Sequence, residues 1–202
     1  MPQLGLAPGP IERVRADLAV VPLFTNERPL RAAAGRVDWR LCGRLSHLFA
    51  EGRLSGAVGE AVLLPGGGGI CAPRVLGVGA GERAQMDAAA WASWVADALA
   101  RSRGLAAQRA VIALPELEVA LGERLSELAK SLARVELPAE IEIAPEPVDA
   151  PGTVDWLRGA ARRSRPEGIE IRAPNEPIAP QGAELEDGRG WSSQESAGRF
   201  SR

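Results

Sequence analysis

The chain has 202 residues, 46% of them hydrophobic and 25% charged, with a formal net charge of −2 and two cysteines. A domain of this length buries roughly 70% of its unfolded surface and needs no disulfide or metal staple, and no apolar run approaches the ~20 residues of a membrane span. The near-neutral charge argues against a general nucleic-acid binder, which carries a clear basic excess.

The first ten residues have neither the basic start nor the apolar core of a signal peptide, so the cytoplasm is the expected location and no membrane contact is expected. From Pro174 onward, Glu176, Glu184, Glu186, Asp187 and Glu195 face Arg189, Arg199 and Arg202, five acids against three bases, which leaves residues 1–173 neutral. Cys42 and Cys71 lie far apart in sequence, without the close spacing of a zinc site, and are read as two reduced, buried thiols.

Taken in order, a loose arm to Pro10 leads to a short edge strand at Ile11 to Arg15. The segment Asp17 to Phe24 follows, nearly continuous in apolar residues as a strand covered on both faces should be. Pro22 removes one ladder donor, which places this strand near an edge or at a bulge. A helical turn is expected around Leu30 to Ala34. Asp38 is then read as the N-cap of a helix reaching about Ala50, with Leu41, Leu45 and Leu48 on its apolar stripe. His47 beside that stripe is the single histidine. It is read as a surface or boundary residue rather than as a metal ligand or catalytic base.

Strands at Gly59 to Leu64 and Arg74 to Gly79 form an antiparallel hairpin. The four glycines between them, Gly66, Gly67, Gly68 and Gly69, offer bare backbone N–H groups that can cradle an anion. A phosphate loop of the Walker type also needs a Lys-Ser/Thr pair opening a helix, whereas Ile70 to Pro73 opens a strand, so the hairpin reading is preferred. The second glycine group, Gly77, Gly79 and Gly81, sits at a strand-to-helix junction, where a dinucleotide lies in Rossmann proteins. There Glu82 occupies the third-glycine position and would repel a pyrophosphate. A tight turn and a close helix approach are the preferred explanation of these glycines.

A helix from about Arg83 to Arg103 puts Trp91, Trp94, Val95, Ala98 and Leu99 on one face, which reads as core rather than as a ligand platform. Arg109 to Leu114 returns as a buried strand parallel to Arg74 to Gly79. Leu117 to Ala133 is patterned as an amphipathic helix, Glu140 to Ala144 as a strand with its isoleucines on one face, Thr153 to about Ser164 as a capped helix, and Gly168 to Arg172 as a last strand. Arg158, Arg162, Arg163 and Arg165 make the one dense basic cluster. It can meet phosphates, or complement the dipole at a helix C-terminus. Residues 1–173 are read as one domain and 174–202, rich in Pro, Gly, Ser and Glu, as a disordered acidic tail with Trp191 and Phe200 as apolar points in it.

The strand Asp17 to Phe24, the helix ending Phe49-Ala50-Glu51-Gly52, the stretch Leu54-Ser55-Gly56-Ala57-Val58-Gly59-Glu60, the strand Arg74-Val75-Leu76-Gly77-Val78-Gly79 and the Ala-rich helix after it follow one another in a familiar order. That order resembles the N-terminal domain of the leucyl (cytosol) aminopeptidase family. The resemblance covers about half the chain and implies an α/β fold, three-layer α/β/α with a mixed, mostly parallel sheet, macro-domain-like. In that family the peptidase chemistry belongs to a separate C-terminal domain, where lysines, aspartates and a glutamate hold two metal ions and the signature Asn-Thr-Asp-Ala-Glu-Gly-Arg occurs. These 202 residues contain no such signature, and the chain is expected to end where that domain would begin. No catalytic residue, metal or cofactor is therefore expected.

The leading functional expectation is a non-catalytic interaction or regulatory module that binds a protein partner or itself. The alternative is a macro-type domain for a nucleotide or ADP-ribose, whose phosphates would meet Gly66 to Gly69 and Gly77 to Gly81 at the carboxyl ends of strands. A DNA-binding accessory role resting on Arg158 to Arg165 is the least expected of the three.

Overall fold

A computed structural model describes residues 2–113, 138–144, 155 and 170–171. Its centre is a seven-stranded sheet. In chain order the strands are β1 (Gln3–Leu6), β2 (Leu18–Phe24), β3 (Ala61–Pro65), β4 (Arg74–Gly81), β5 (Arg109–Ala113), β6 (Glu140–Ala144) and β7 (Glu170–Ile171). Their spatial order is β3-β4-β2-β5-β6-β1-β7. All pairings are parallel except the β3–β4 hairpin, so the sheet is mixed and mostly parallel, as expected.

The helices are α1 (Ala32–Arg40), α2 (Arg44–Ala50) and α3 (Ala88–Gly104). They cover opposite faces. On one side α3 sends Trp91, Trp94, Val95, Ala98 and Leu99 onto Leu18, Val20, Phe24, Leu76, Val78 and Ile112, with Ile141 and Ile143 of β6 joining them. On the other, Ala33, Ala34 and Val37 of α1 and Leu45 of α2 meet Ala19, Val21, Leu23, Val75 and Val111. Strand β2 thus feeds alternate side chains to both cores, which is why its sequence is apolar without interruption. The result is the expected three-layer α/β/α arrangement.

Several expectations are corrected in detail. Ile11–Arg13 is a 3-10 turn, not an edge strand, with Pro10 in the extended conformation before it. Strand β2 is flanked on both sides by β4 and β5 rather than lying at an edge. Pro22 is still paired with Val78 of β4, but it lies beyond the β5 ladder, which spans Leu18 to Val20 only, and next to a register shift between Leu23 and Phe24 that fits the expected bulge. Strands β4 and β5 do run parallel, with β2 between them.

The helix expected from Asp38 to Ala50 is two helices. Helix α1 begins earlier, at Ala32, and a turn through Cys42 and Gly43, both at positive φ, separates it from α2. Asp38 is a cap nonetheless, for the second helix: its Oδ1 accepts the backbone N–H of Leu45 (2.8 Å) and Ser46 (3.2 Å), and its Oδ2 accepts the Ser46 hydroxyl. The helix expected from Arg83 is a 3-10 turn, Arg83–Gln85, followed by α3, whose N-cap Asp87 accepts the Ala90 N–H. Both cysteines are exposed, not buried: Cys42 projects from the reversal between α1 and α2, and Cys71 from the β3–β4 connection. The expected helix at Leu117 to Ala133, most of the one at Thr153 to Ser164, and the tail from Pro174 lie outside the described residues.

Candidate functional site

The two glycine groups stand at opposite ends of β4. Antiparallel pairing of Pro65 with Arg74 puts Gly66 to Gly69 at the start of β4, whereas Gly77 lies at its middle and Gly79 and Gly81 in its second half. Eight residues of strand separate the ends by about 23 Å at ~3.3 Å per residue, so one phosphate group cannot meet both.

At the start of β4 the glycines build the hairpin. The Gly66 N–H donates to the Pro73 carbonyl at 2.8 Å, and a Cβ there would stand 2.1 Å from the Ala72 carbonyl oxygen. Gly67 and Gly68 take positive φ at the open tip. Gly69 presses on α1, where a Cβ would come 2.6 Å from the carbonyl oxygen of Arg40.

At the other end Gly77, Gly79 and Gly81 belong to the strand, not to a turn after it, and α3 begins only at Ala88. The close approach they permit is made by the loop from Ser55 to Gly59 rather than by a helix. A Cβ on Gly79 would lie 1.9 Å from the Ala57 carbonyl oxygen. The N–H of Gly79 is used by the Glu60 carbonyl (2.7 Å) and that of Gly81 by the Gly56 carbonyl (2.9 Å). Gly77 makes room for the Leu23 side chain.

The same loop forms a small anion nest, and the protein fills it with its own carboxylate. Glu60 Oε2 accepts the N–H of Ser55 (2.8 Å), the N–H of Gly56 (2.6 Å) and the Ser55 hydroxyl (3.0 Å). Burial acts to raise the Glu60 carboxyl, but these donors outweigh it and hold the group below its ordinary value. Beside the nest, buried Glu27 binds Arg83 at 2.8 Å, and the Arg83 guanidinium lies 4.1 Å from the centre of the Phe24 ring. Arg28 stacks 3.3 Å from the Phe49 ring centre and donates to the Phe24 and Glu27 carbonyls. Thr25 Oγ1, at the end of β2, is buried with no hydrogen-bond partner.

Other sequence candidates resolve simply. His47 is exposed and contacts Glu51 at 3.1 Å one helical turn away. Trp91 and Trp94 are core residues. Among the described residues no three His, Cys, Asp or Glu side chains gather as metal ligands. Arg158, Arg162, Arg163 and Arg165 lie outside the described residues.

On the solvent side of α1, Ala32, Gly35, Arg36, Trp39 and Arg40 line a groove of about 470 Å³ completed by Glu12 and Leu30. The small residues Ala32 and Gly35 leave it open. Trp39 stands 82% exposed at its side, and Arg36 Nε meets Glu12 Oε2 at 3.3 Å. The spacing 32, 35, 36, 39, 40 is that of one helical face. It was legible in principle once the helix is started at Ala32, but no Ser, Thr, Asp or Asn marks that start: the N-cap is Arg31, which makes no side-chain cap bond.

Comparison with known proteins places this geometry. Residues 20–135 match the model of the cytosol aminopeptidase family, N-terminal domain. A probable cytosol aminopeptidase of Xylella fastidiosa (strain M12) is 32% identical over 108 residues, which is 54% of this chain and 22% of that protein. The chain therefore spans about a fifth of the length of that curated relative. Among solved structures, the macro domain of ganglioside induced differentiation associated protein 2 superposes with a TM-score of 0.63 at 10% identity, covering 81% of this chain and 86% of that one. The Oceanobacillus iheyensis macrodomain with ADP gives 0.57 at 8% identity, covering 75% and 89%. At such identities the likeness is one of fold.

Proposed function

Because the chain belongs to the cytosol aminopeptidase family through its N-terminal domain, we propose that it acts as a non-catalytic interaction module in the cytoplasm, with the α1 groove as its protein-facing surface. The observation that carries this reading is the occupied nest: the N–H groups best placed to hold an anion at the strand ends already hold Glu60. A ligand phosphate arriving there would have to displace a carboxylate whose ionised form those same bonds favour. The groove, by contrast, offers an exposed tryptophan beside arginine, residue types enriched where proteins bind one another. The family match covers the N-terminal domain and the peptidase signature is absent from these 202 residues. Both support assigning this unit no peptidase chemistry of its own.

The test is direct. Purified chain with manganese or zinc is expected to leave leucine anilide uncleaved, and titration with ADP-ribose is expected to give neither heat nor a thermal shift. Cleavage that survives removal of contaminating peptidase overturns the reading.

A second reading, a macro-type nucleotide or ADP-ribose site, has one observation in its favour: the carboxyl ends of β2 and β4 carry the unpartnered Thr25 hydroxyl in a fold shared with a macrodomain whose structure contains ADP. Saturable ADP-ribose binding that is lost in Gly56→Val, placed against the Phe24 backbone, with folding retained, would move the assignment to it.

A further inference from the structure

The α1 groove has a basic, aromatic character that asks for an acidic occupant carrying apolar side chains. Arg36 and Arg40 line it, and Arg13 and Arg31 adjoin its lining residues Glu12, Leu30 and Ala32 in sequence; the acids nearby are Glu12, which is bound to Arg36, and Asp38, which is buried and caps α2. The open floor at Ala32 and Gly35 and the exposed Trp39 ring add an apolar contact surface. This chain contains a segment of matching chemistry that combines three carboxylates with a tryptophan: Glu184-Leu185-Glu186-Asp187-Gly188-Arg189-Gly190-Trp191, with one arginine and two apolar side chains.

The topology also brings that segment within reach. Strand β7 runs parallel beside β1, with Glu170 against Gln3 and Ile171 against Leu4. The chain leaving Ile171 therefore starts from the same edge and in the same direction as the chain leaving Leu4. From Leu4 the backbone arrives at Glu12, on the groove, in eight residues; from Ile171 to Glu184 there are thirteen. Thirteen residues of chain, even at the compact dimensions of a random coil, span about 20 Å root-mean-square, and about 40 Å when extended.

We propose that Glu184 to Trp191 docks in the α1 groove of its own chain, its carboxylates facing the arginines and Leu185 or Trp191 packing on Trp39. This rests on the groove being a protein-facing surface and gives that surface a built-in competitor. An external partner would then bind at the cost of displacing the segment, and its apparent affinity would fall by the fraction of molecules in which the groove is filled. Charge supplies much of the attraction between partly exposed groups, so docking weakens as ionic strength rises.

The experiment uses the full chain with a photoreactive benzoylphenylalanine in place of Trp39, irradiated at low concentration and mapped by peptide mass spectrometry. The expected result is a cross-link within one chain to residues 184–191, reduced several-fold in Glu184→Gln/Glu186→Gln/Asp187→Asn and in high salt. Cross-links elsewhere, links formed only between two chains, or a yield indifferent to the three neutralisations would overturn the proposal. A second measurement leaves the groove untouched: the indole N–H resonance of Trp39 is expected to shift on making the same three neutralisations, and an unmoved resonance counts against docking. Failure here leaves the interaction module standing, since that reading is decided by the peptidase and ADP-ribose measurements.

Discussion

Among the described glycines, Gly79 is the position where an added methyl group comes nearest to a backbone atom. Its Cβ would sit 1.9 Å from the Ala57 carbonyl oxygen, a backbone atom of a loop that is itself tied to β4 by two further hydrogen bonds. Gly79→Ala is expected to cost on the order of 3 kcal/mol in urea unfolding, whereas Gly68→Ala, at positive φ in open space, should cost about 1 kcal/mol from backbone strain alone. The two core tryptophans make a second contrast. Trp94 Nε1 donates to the Val78 carbonyl at 3.2 Å, while Trp91 Nε1 is buried without a partner. Replacing each with Phe removes a bond in one case and an unsatisfied donor in the other, so Trp94→Phe should be costlier than Trp91→Phe by about 1–2 kcal/mol. Glu60 gives the pH dependence. Its carboxyl is held below the ordinary value of 4.5, with burial opposing the shift and the Ser55 and Gly56 donors imposing it. A depressed carboxyl stabilises the fold above the unfolded-state value and loses that contribution as pH falls through the folded one. The stability gap between the native chain and Glu60→Gln should therefore be full at neutral pH and close below about pH 4.5, as read from denaturation midpoints along a pH series.

The junction between α1 and α2 turns on Asp38. Its two oxygens serve the N–H groups of Leu45 and Ser46 and the Ser46 hydroxyl, so one buried side chain in the last turn of α1 caps the start of α2. Asp38→Ala should lower stability by about 1–2 kcal/mol, and Asp38→Asn by less because one acceptor oxygen remains; chemical denaturation checks both. The same residue explains why the sequence pattern suggests one helix where the fold has two. A cap was legible, but a carboxylate can reach a helix that starts six residues later as well as its own, and periodicity alone does not distinguish the two. Elements with a strong pattern were legible: the continuous apolar run of β2, the hairpin around the Gly66 to Gly69 turn, the tryptophan face of α3 and the alternating isoleucines of β6. The groove was not, because it is made by what α1 lacks, a side chain at Gly35 and a cover over Trp39, and by Glu12, which a 3-10 turn brings from another part of the chain. Nor was the filled nest, since a carboxylate that curls back onto the loop four and five residues before it leaves no periodic trace in the sequence.

The sheet is wider than the family match. Residues 20–135 begin inside β2 and include α1 through β5, yet β5 is followed in space by β6, β1 and β7, all three outside the matched range. Strands β1 and β6 are not peripheral additions. Leu4, Leu18, Ile141 and Ile143 belong to the core under α3, and Ala7, Ile11, Val14, Ala19 and Ala144 to the core under α1 and α2. Arg109 of β5 reinforces the seam by binding Glu140 of β6 at 2.6 Å, and Asp17 accepts the N–H groups of Gln108 and Arg109, at 2.9 and 3.0 Å, from before the matched range begins. Both cores therefore draw on chain that the match omits, and each large buried side chain taken away costs a few kcal/mol against a total stability of about 5–15 kcal/mol. A chain cut to residues 20–135 removes at least four such side chains, exposes the β5 edge to solvent and severs β2 near its start. It should lose the cooperative unfolding transition of the full chain and bind a hydrophobic dye, while keeping part of its far-ultraviolet helical signal. A sharp, full-amplitude thermal transition in that fragment would mean that β1, β6 and β7 lie on a core already complete without them, and that the sheet is stabilised by its β3-β4-β2-β5 half alone.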